Sequence, residues 1–343
     1  MANFIVGLDI GHSSVKGVKL VAQKKGADLV AFAKHSLNKE VVERGKVIDE
    51  GILATVLEEV AKEIRPMRSA VVTAISAEQA VVRTLKLPKM TEKELKETIP
   101  WEIEQYLSYP ATEAAIDYVI MGKKNPTEDD DGMLDVLVVA APKVIVDSYL
   151  RPLRAVGINP VCLDLQPYAL VHNYLYFNND NTKNIALIDM GASTTDIVIL
   201  EKDEVILTRT ISLGGDDFTK TIADTKNIYF QDAEEEKLKM AEEDGLDDCL
   251  VPLAEEFVQE ITRSLGYFQI QRRGQAVDGI LLTGGCIGLA GFKEFLREKI
   301  SVDLQLWEIP SSMGISQNIL FAHKNLQSNI MVSLGLALSE VMV

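Results

Sequence analysis

Short apolar runs bounded by turn residues alternate along this chain with stretches of helical period, and the first runs come three in succession. Residues 3–9, 15–21 and 28–36 read as strands, because Val, Ile, Leu and Phe recur in segments too short for helices and separated by Gly, Ser and Lys. From Glu50 to Ile64 the period lengthens. Ile52, Leu53, Val56, Val60 and Ile64 fall on one helical face, and Pro66 stops the helix. Ala70–Ile75 returns to an apolar strand, so the opening unit is three strands, a helix and a strand.

The pattern then changes. After an extended run over 81–90, Thr91-Glu92-Lys93-Glu94 forms a capping box that opens an acidic helix from Thr91 to Leu107. Strands around Asp117–Gly122 and Leu134–Ala141 flank the acidic turn-rich loop Lys123–Gly132, followed by a helix over Lys143–Ala155 and a strand over Ile158–Asp164. Further on, Asp232 to Asp248 reads as a solvated acidic helix and loop. The helix Val251–Gln271 carries Leu253, Phe257, Ile261, Leu265 and Phe268 on one stripe and Glu256, Glu260, Arg263 and Tyr267 on another.

Two hairpin turns have one chemical shape. Leu8-Asp9-Ile10-Gly11-His12-Ser13-Ser14-Val15-Lys16 aligns without a gap on Ile188-Asp189-Met190-Gly191-Ala192-Ser193-Thr194-Thr195-Asp196, an offset of 180 residues. One Asp-x-Gly hairpin is ordinary, but two at domain-scale separation can grip one polyphosphate from both sides. Gly11 and Gly191 bring main-chain N–H groups close to phosphate oxygens, and Ser13, Ser14, Ser193 and Thr194 add hydroxyl donors. Lys16 adds a point charge. His12 and Ala192 occupy the turns, where either the His12 side chain or only its backbone meets phosphate. Asp9 and Asp189 at the ends of apolar strands are costly carboxylates unless they serve a cation such as Mg²⁺ held through its water.

Two further glycine pairs follow in order: Leu213-Gly214-Gly215-Asp216, and the strand Gly279–Thr283 running into Gly284-Gly285-Cys286. The four elements together resemble the actin, Hsp70 and sugar-kinase superfamily, whose two related lobes close on ATP. The resemblance implies an α/β, actin-like fold, that is, a duplicated ribonuclease H-like two-lobe ATPase fold, with ATP and Mg²⁺ as cofactors. It implies that Gly284, Gly285 and Cys286 pack against adenosine, that Gly214 and Gly215 shape the same side, and that Glu260 and Arg263 reach the nucleoside. By period alone, Glu260 and Arg263 are a surface face. The resemblance also makes Gln166 the residue that positions the attacking water, with Asp9 and Asp196 beside the metal, whereas its place before Pro167 equally suits a helix cap. Glutamine is no strong base, so hydrolysis is expected to be slow or absent.

The residues Leu87-Pro88-Lys89-Met90, Trp101-Glu102-Ile103-Glu104-Gln105-Tyr106-Leu107 and Tyr109-Pro110, with Gly335-Leu336-Ala337-Leu338 near the end, resemble the PilM family of type IV pilus assembly, related to FtsA. That likeness implies a first lobe over 1–83, completed by about 163–183 and 311–343, an FtsA-type inserted α+β subdomain over 84–162, and a second lobe over 184–310 with a helical part at about 216–272. It further implies that the cytoplasmic N-terminal peptide of PilN is a partner, captured in a groove for which Trp101, Ile103, Tyr106 and Leu107 are candidates unless they pack the core. Pilus motor ATPases and self-association are further implied contacts.

Composition narrows the field. A net charge of −16 over 343 residues argues against a general nucleic-acid or anionic-membrane binder, since those surfaces need clustered Lys and Arg. Cys162, Cys249 and Cys286 have no paired spacing, and the four histidines form no metal motif. The first residues lack a basic leader and no apolar run reaches membrane length, so a cytoplasmic protein is expected, peripheral to the inner membrane through PilN. The alternative is an FtsA-like division protein that polymerises at the membrane. Asn329–Val343, however, reads as a core helix without the basic face an anionic surface favours. A sugar kinase would need a catalytic Asp outside the ATP motifs, and none stands out.

Overall fold

The computed structural model describes residues 4–24, 26–121, 132–178, 180, 182–240, 245–323 and 326–342; most of the acidic loop expected after residue 122 lies outside them. Strands β1 (Phe4–Ile10), β2 (Ser14–Ala22) and β3 (Ala27–Ser36) form an antiparallel meander. A small ribbon, β4 (Val42–Glu43) and β5 (Lys46–Val47), leads to helix α1 (Glu50–Ile64), and β6 (Ala70–Ile75) then pairs parallel to β1. Helix α1 starts where expected because the Asp49 side chain accepts from the Ile52 N–H, and it ends at Arg65 in left-handed geometry. Its buried face is Leu53, Leu57, Val60 and Ile64. Ile52, expected on that face, is 41% exposed; a spacing of 4, 3 and 4 from Leu53 selects Leu57 instead.

An insertion follows: β7 (Val81–Pro88), α2 (Glu92–Glu104), β8 (Ala114–Met121) and β9 (Met133–Pro142), in a three-stranded sheet ordered β7-β9-β8. The Thr91–Glu94 capping box is present, and Leu95, Ile99 and Ile103 of α2 pack on this sheet in a core of its own. Ile103 is therefore core rather than groove lining; Leu107 packs against the same core, while Trp101 is 78% exposed and Tyr106 lies under Arg83. Helix α3 (Lys143–Ala155) sends Ile145, Tyr149 and Leu153 into the core it shares with α1. It thus belongs with the first sheet, although the sequence grouped it with the insertion. The strand expected from Ile158 begins only at Cys162, as β10 (Cys162–Leu165) parallel to β6. Ile158 is spent on the core below α3, and Pro160 has no N–H to give a ladder.

After helix α4 (Gln166–Phe177) the sequence of elements repeats: β11 (Asn184–Met190), β12 (Thr195–Glu201), β13 (Glu204–Ile211), helices α5 (Gly215–Lys226), α6 (Phe230–Met240) and α7 (Val251–Gln271), β14 (Gly279–Thr283), α8 (Phe292–Lys299) and β15 (Leu304–Leu306). The second sheet runs β13-β12-β11-β14-β15, and the first runs β10-β6-β1-β2-β3 with the short β16 (Gly314–Ile315) added beyond β3. Read from the meander inward, the two orders are the same. In both sheets a third-strand-to-helix-to-parallel-strand crossover follows the meander, as expected of a duplicated unit.

Helix α9 (Gln317–Ala322) leads to α10 (Leu326–Ser339), which lies beside α4 between the two sheets. One face of each sheet, for example Val18 and Val72 from the first and Leu187 and Val198 from the second, closes on this pair in a common core. The outer faces are covered by α1 and α3 on the first lobe and by α5, α7 and α8 on the second. Both ends of the meanders, and so both Asp-x-Gly hairpins, are thereby held to one rigid middle layer.

Candidate functional site

The two hairpins are superposable in their bonding. In each, the turn glycine N–H donates to the hydroxyl residue three positions on: Gly11 to the Ser14 carbonyl at 3.0 Å and Gly191 to the Thr194 carbonyl at 2.9 Å. In register, Asp9 stands opposite Lys16 and Asp189 opposite Asp196. Among the described residues no protein acceptor serves the N–H groups of His12, Ser13, Ala192 or Ser193. These are the donors a phosphate would take.

The pseudo-equivalent positions 16 and 196 break the symmetry. Lys16 Nζ sits 3.2 Å from Asp9 Oδ2. Burial acts to lower the Lys16 pKa, but Asp9 and then Asp189 in the opposite lobe outweigh it, so the ammonium is held above its ordinary value. Lys16 is thus a cation shared by both lobes. Burial pushes Asp189 up to about 6, with Lys16 pulling down and Asp9 pushing up. Asp196 is pushed up to about 7, chiefly by burial, although the Thr210 hydroxyl donates to it. One lysine between Asp9 and Asp189, with Asp196 next to both carboxylates, leaves an excess of negative charge that a cation would relieve.

Gln166, the first residue of α4, does not cap its helix. Its Nε2 donates to Asp9 Oδ1 at 3.1 Å and approaches the Ile10 carbonyl at 3.4 Å. The crossing helix therefore ends on the first hairpin. His12 turns the other way, with Nε2 3.4 Å from Asp216 Oδ2, and its Nδ1 is buried without a partner among the described residues.

The glycine pairs explain themselves by contact. The Gly215 and Asp216 N–H groups donate to the Gly191 and Ala192 carbonyls at 3.0 and 2.7 Å, strapping the turn onto the second hairpin. A side chain at Gly214 would stand 2.7 Å from the Ala192 carbonyl carbon. Gly284 has φ +115°, and a Cβ there would run into Met190, whereas beside Gly285 there is open space. Thr283, paired in register with Asp189, has a buried hydroxyl with no partner among the described residues.

Cys286 lies behind Gly215, and its thiol is pushed up to about 11 by burial, so it is a packing group rather than a nucleophile. A Cβ at Gly215 would overlap its Sγ. Gly215→Ala should destabilise the protein by about 1–3 kcal/mol, and Cys286→Ala should restore at least half of that in the double variant, as read by urea denaturation. Additive losses would refute the contact.

Several residues of this region carried no sequence motif. Lys237 of α6, within the stretch expected to be solvated, is buried and donates to the Gly215 carbonyl at 3.1 Å and the Thr219 hydroxyl at 2.7 Å, with Glu234 2.7 Å away. Its helical spacing with buried Ala233 and Met240 was the available signal. Lys39 reaches from the first lobe to Asp216 at 3.0 Å and over the Phe230 ring. Glu260 is paired both with Arg263 and with Arg209 of β13; among the described residues Glu260 and Arg263 make no hydrogen bond or ion pair with the glycine turns.

The donor set fits a magnesium polyphosphate. Among the described residues no three His, Cys, Asp or Glu side chains come close enough to hold a metal directly. No described helix is long and apolar enough to cross a membrane.

Comparison with known proteins places these features. The profile of a family described as Type IV pilus assembly protein PilM matches residues 7–341. The chain is 29% identical to a chain of the solved PilM-PilN type IV pilus biogenesis complex, with a TM-score of 0.86 and 98% of each chain covered. The ethanolamine utilization protein EutJ from Carboxydothermus hydrogenoformans is 17% identical, with a TM-score of 0.59, covering 98% of this chain and 90% of that one, and shares the fold. MreB5 of Spiroplasma citri bound to AMPPNP is 12% identical at a TM-score of 0.52, covering 98% and 95%, and also shares the fold. Among curated proteins, the cell division protein FtsA of Streptococcus pneumoniae (serotype 2, strain D39) is 22% identical over 364 residues, covering 93% of this chain and 78% of that one.

Proposed function

The chain belongs to the family of type IV pilus assembly protein PilM and has the actin-like two-lobe fold with an inserted subdomain, and on that premise we propose that it is an ATP-binding adaptor of the pilus inner-membrane platform. The observation that carries the nucleotide reading is Lys16, a half-buried cation 3.2 Å from Asp9 of its own lobe and answering Asp189 of the other. Such a pair of hairpins holds phosphates between N–H groups and the hydroxyls of Ser13, Ser14, Ser193 and Thr194, with Asp9 and Asp189 behind the water of Mg²⁺. Mg²⁺ would supply charge neutralisation for the phosphates. Gly214, Gly215, Gly284, Gly285 and Cys286 shape the nucleoside side, with Lys237 behind them and Glu260 and Arg263 on α7 of the same lobe.

Gln166 and Asp196 are the polar groups available to orient an attacking water; glutamine is no base, and Asp196, pushed up to about 7 by burial, has one carboxylate oxygen taken by the Thr210 hydroxyl. In this reading the protein binds ATP and turns it over slowly or not at all. Gln166→Leu should leave ATP affinity within about threefold while reducing residual phosphate release about tenfold or more. Unchanged release would remove Gln166 from the chemistry.

The partner in this reading is the cytoplasmic N-terminal peptide of PilN, since the solved relative at 29% identity is a PilM-PilN complex. Through it the protein sits at the inner membrane, and contacts to the motor ATPases and to other copies follow from the same platform. Calorimetric titration of a synthetic PilN N-terminal peptide, with and without Mg-ATP, tests it. Stoichiometric binding supports the adaptor and shows whether nucleotide is coupled; absence of binding in both states overturns it.

A further inference from the structure

On the far end of the first sheet from Asp9, the loop between α1 and β6 and the loop between α3 and β10 enclose a pocket of about 630 Å³. The strand register fixes that separation, because Ala70 pairs with Ile5, at the start of β1, while Asp9 lies near its end. The pocket is bipartite. Lys62, Arg65 and Arg68 supply cations, and Met67, Pro66 and Val156 supply apolar surface.

Charge is concentrated here against the trend of a chain at −16. Lys19 donates to the Arg65 carbonyl at 2.7 Å, and its pKa is lowered by burial and by the neighbouring Arg65. Lys62 is neutralised by Glu59, but among the described residues neither Arg65 nor Arg68 has a carboxylate partner. Both arginines also sit at positive φ, 48° and 62°. Glycine or asparagine would hold those positions at less cost. Between them Met67 is 84% exposed, a pliable apolar side chain of the kind that moulds to varied peptides.

We propose that this pocket docks an acidic, aliphatic segment of a partner protein, its carboxylates on Arg65 and Arg68 and its apolar side chain against Met67, Pro66 and Val156. Charge complementarity favours this occupant. Paired guanidinium groups match carboxylates two-pronged, and the volume is that of a cleft that buries side chains. Glu58 is the one carboxylate of the lining against Lys62, Arg65 and Arg68, and a flat anionic bilayer is disfavoured because it would meet the exposed Arg65, Met67 and Arg68 without filling the concave pocket.

The test is selection of displayed random heptapeptides on the full chain, followed by anisotropy titration of the best ones against Arg65→Asn/Arg68→Asn. Asparagine tolerates the left-handed backbone, so the double variant should fold and bind ATP as the parent does. The expected result is enrichment of Asp or Glu next to Leu, Ile or Val, with affinity reduced about tenfold or more in the double variant. Recovery of no peptides, of basic peptides, or of peptides that bind the variant equally overturns the proposal. So does Arg65- and Arg68-dependent sedimentation with phosphatidylglycerol vesicles in the absence of peptide selection, which would assign the patch to a membrane.

Discussion

Gly335→Ala is expected to destabilise the protein by about 3 kcal/mol or more, although alanine is the better helix former by up to about 1 kcal/mol. Two effects of opposite sign meet at this position of α10, and contact wins. An added Cβ would overlap the Ala169 carbonyl oxygen of α4 and stand 2.6 Å from its carbonyl carbon. No flexible side chain can yield there, because the obstacle is backbone. On the other side of α10, Gly7 of β1 makes the same kind of approach: a Cβ on it would overlap the Ser333 carbonyl and stand 2.7 Å from the Ala337 N–H nitrogen. The helix is thus gripped between a strand and a second helix with no slack in either direction. Urea denaturation of the single variant decides the matter, and a stability equal to or above that of the parent would mean that α4 and α10 are not packed this closely.

The consequence reaches the candidate site. Helix α4 begins at Gln166, whose side chain is bonded to Asp9, and Asp9 is two residues from Gly7. Pushing α4 from α10 therefore pulls on the first hairpin. A weakened ATP affinity in Gly335→Ala, at temperatures where it remains folded, should accompany the stability loss.

Elements with strong periodicity were legible in the sequence. Helices α1, α3 and α7 have the bounds that their apolar spacing and stop residues give, and the repeated Asp-x-Gly motif did report a repeated sheet. What failed was whatever depends on the third dimension. Ile52 satisfies helical spacing as well as Leu57 does, but only the latter faces β2 and β3. Ile158 has strand character, yet the core under α3 claims it. In the site, small residues were readable because a turn needs them, and Lys237 was not, since a lysine among glutamates looks like any solvated face until α5 is packed on it. Gln166 was readable as polar and special, but whether it capped its own helix or reached Asp9 depended on where the start of α4 meets the end of β1. Long-range partners leave no local trace.

Asp9→Asn is expected to abolish Mg²⁺-dependent ATP binding, a loss of about a hundredfold or more, while the fold survives. The side chain is 3% exposed and serves two partners at once, Lys16 at 3.2 Å and Gln166 at 3.1 Å. Asparagine keeps the shape and the acceptor oxygen for Gln166, so packing is conserved. It removes the charge that holds the Lys16 ammonium in place and the anion that would back the metal's water. Lys16 still has Asp189 across the cleft, which limits the cost to the unliganded protein. A second variant separates charge from geometry: at Gly191 a Cβ would stand 2.9 Å from the Thr194 carbonyl oxygen that closes its own turn, so Gly191→Val should deform the other hairpin and lose ATP with or without Mg²⁺. Calorimetry of both variants in magnesium and in chelator reads the difference. If both bind Mg-ATP as the parent does, the phosphate site lies elsewhere. If Asp9→Asn alone retains binding, the hairpins hold phosphate through N–H groups without a metal behind them.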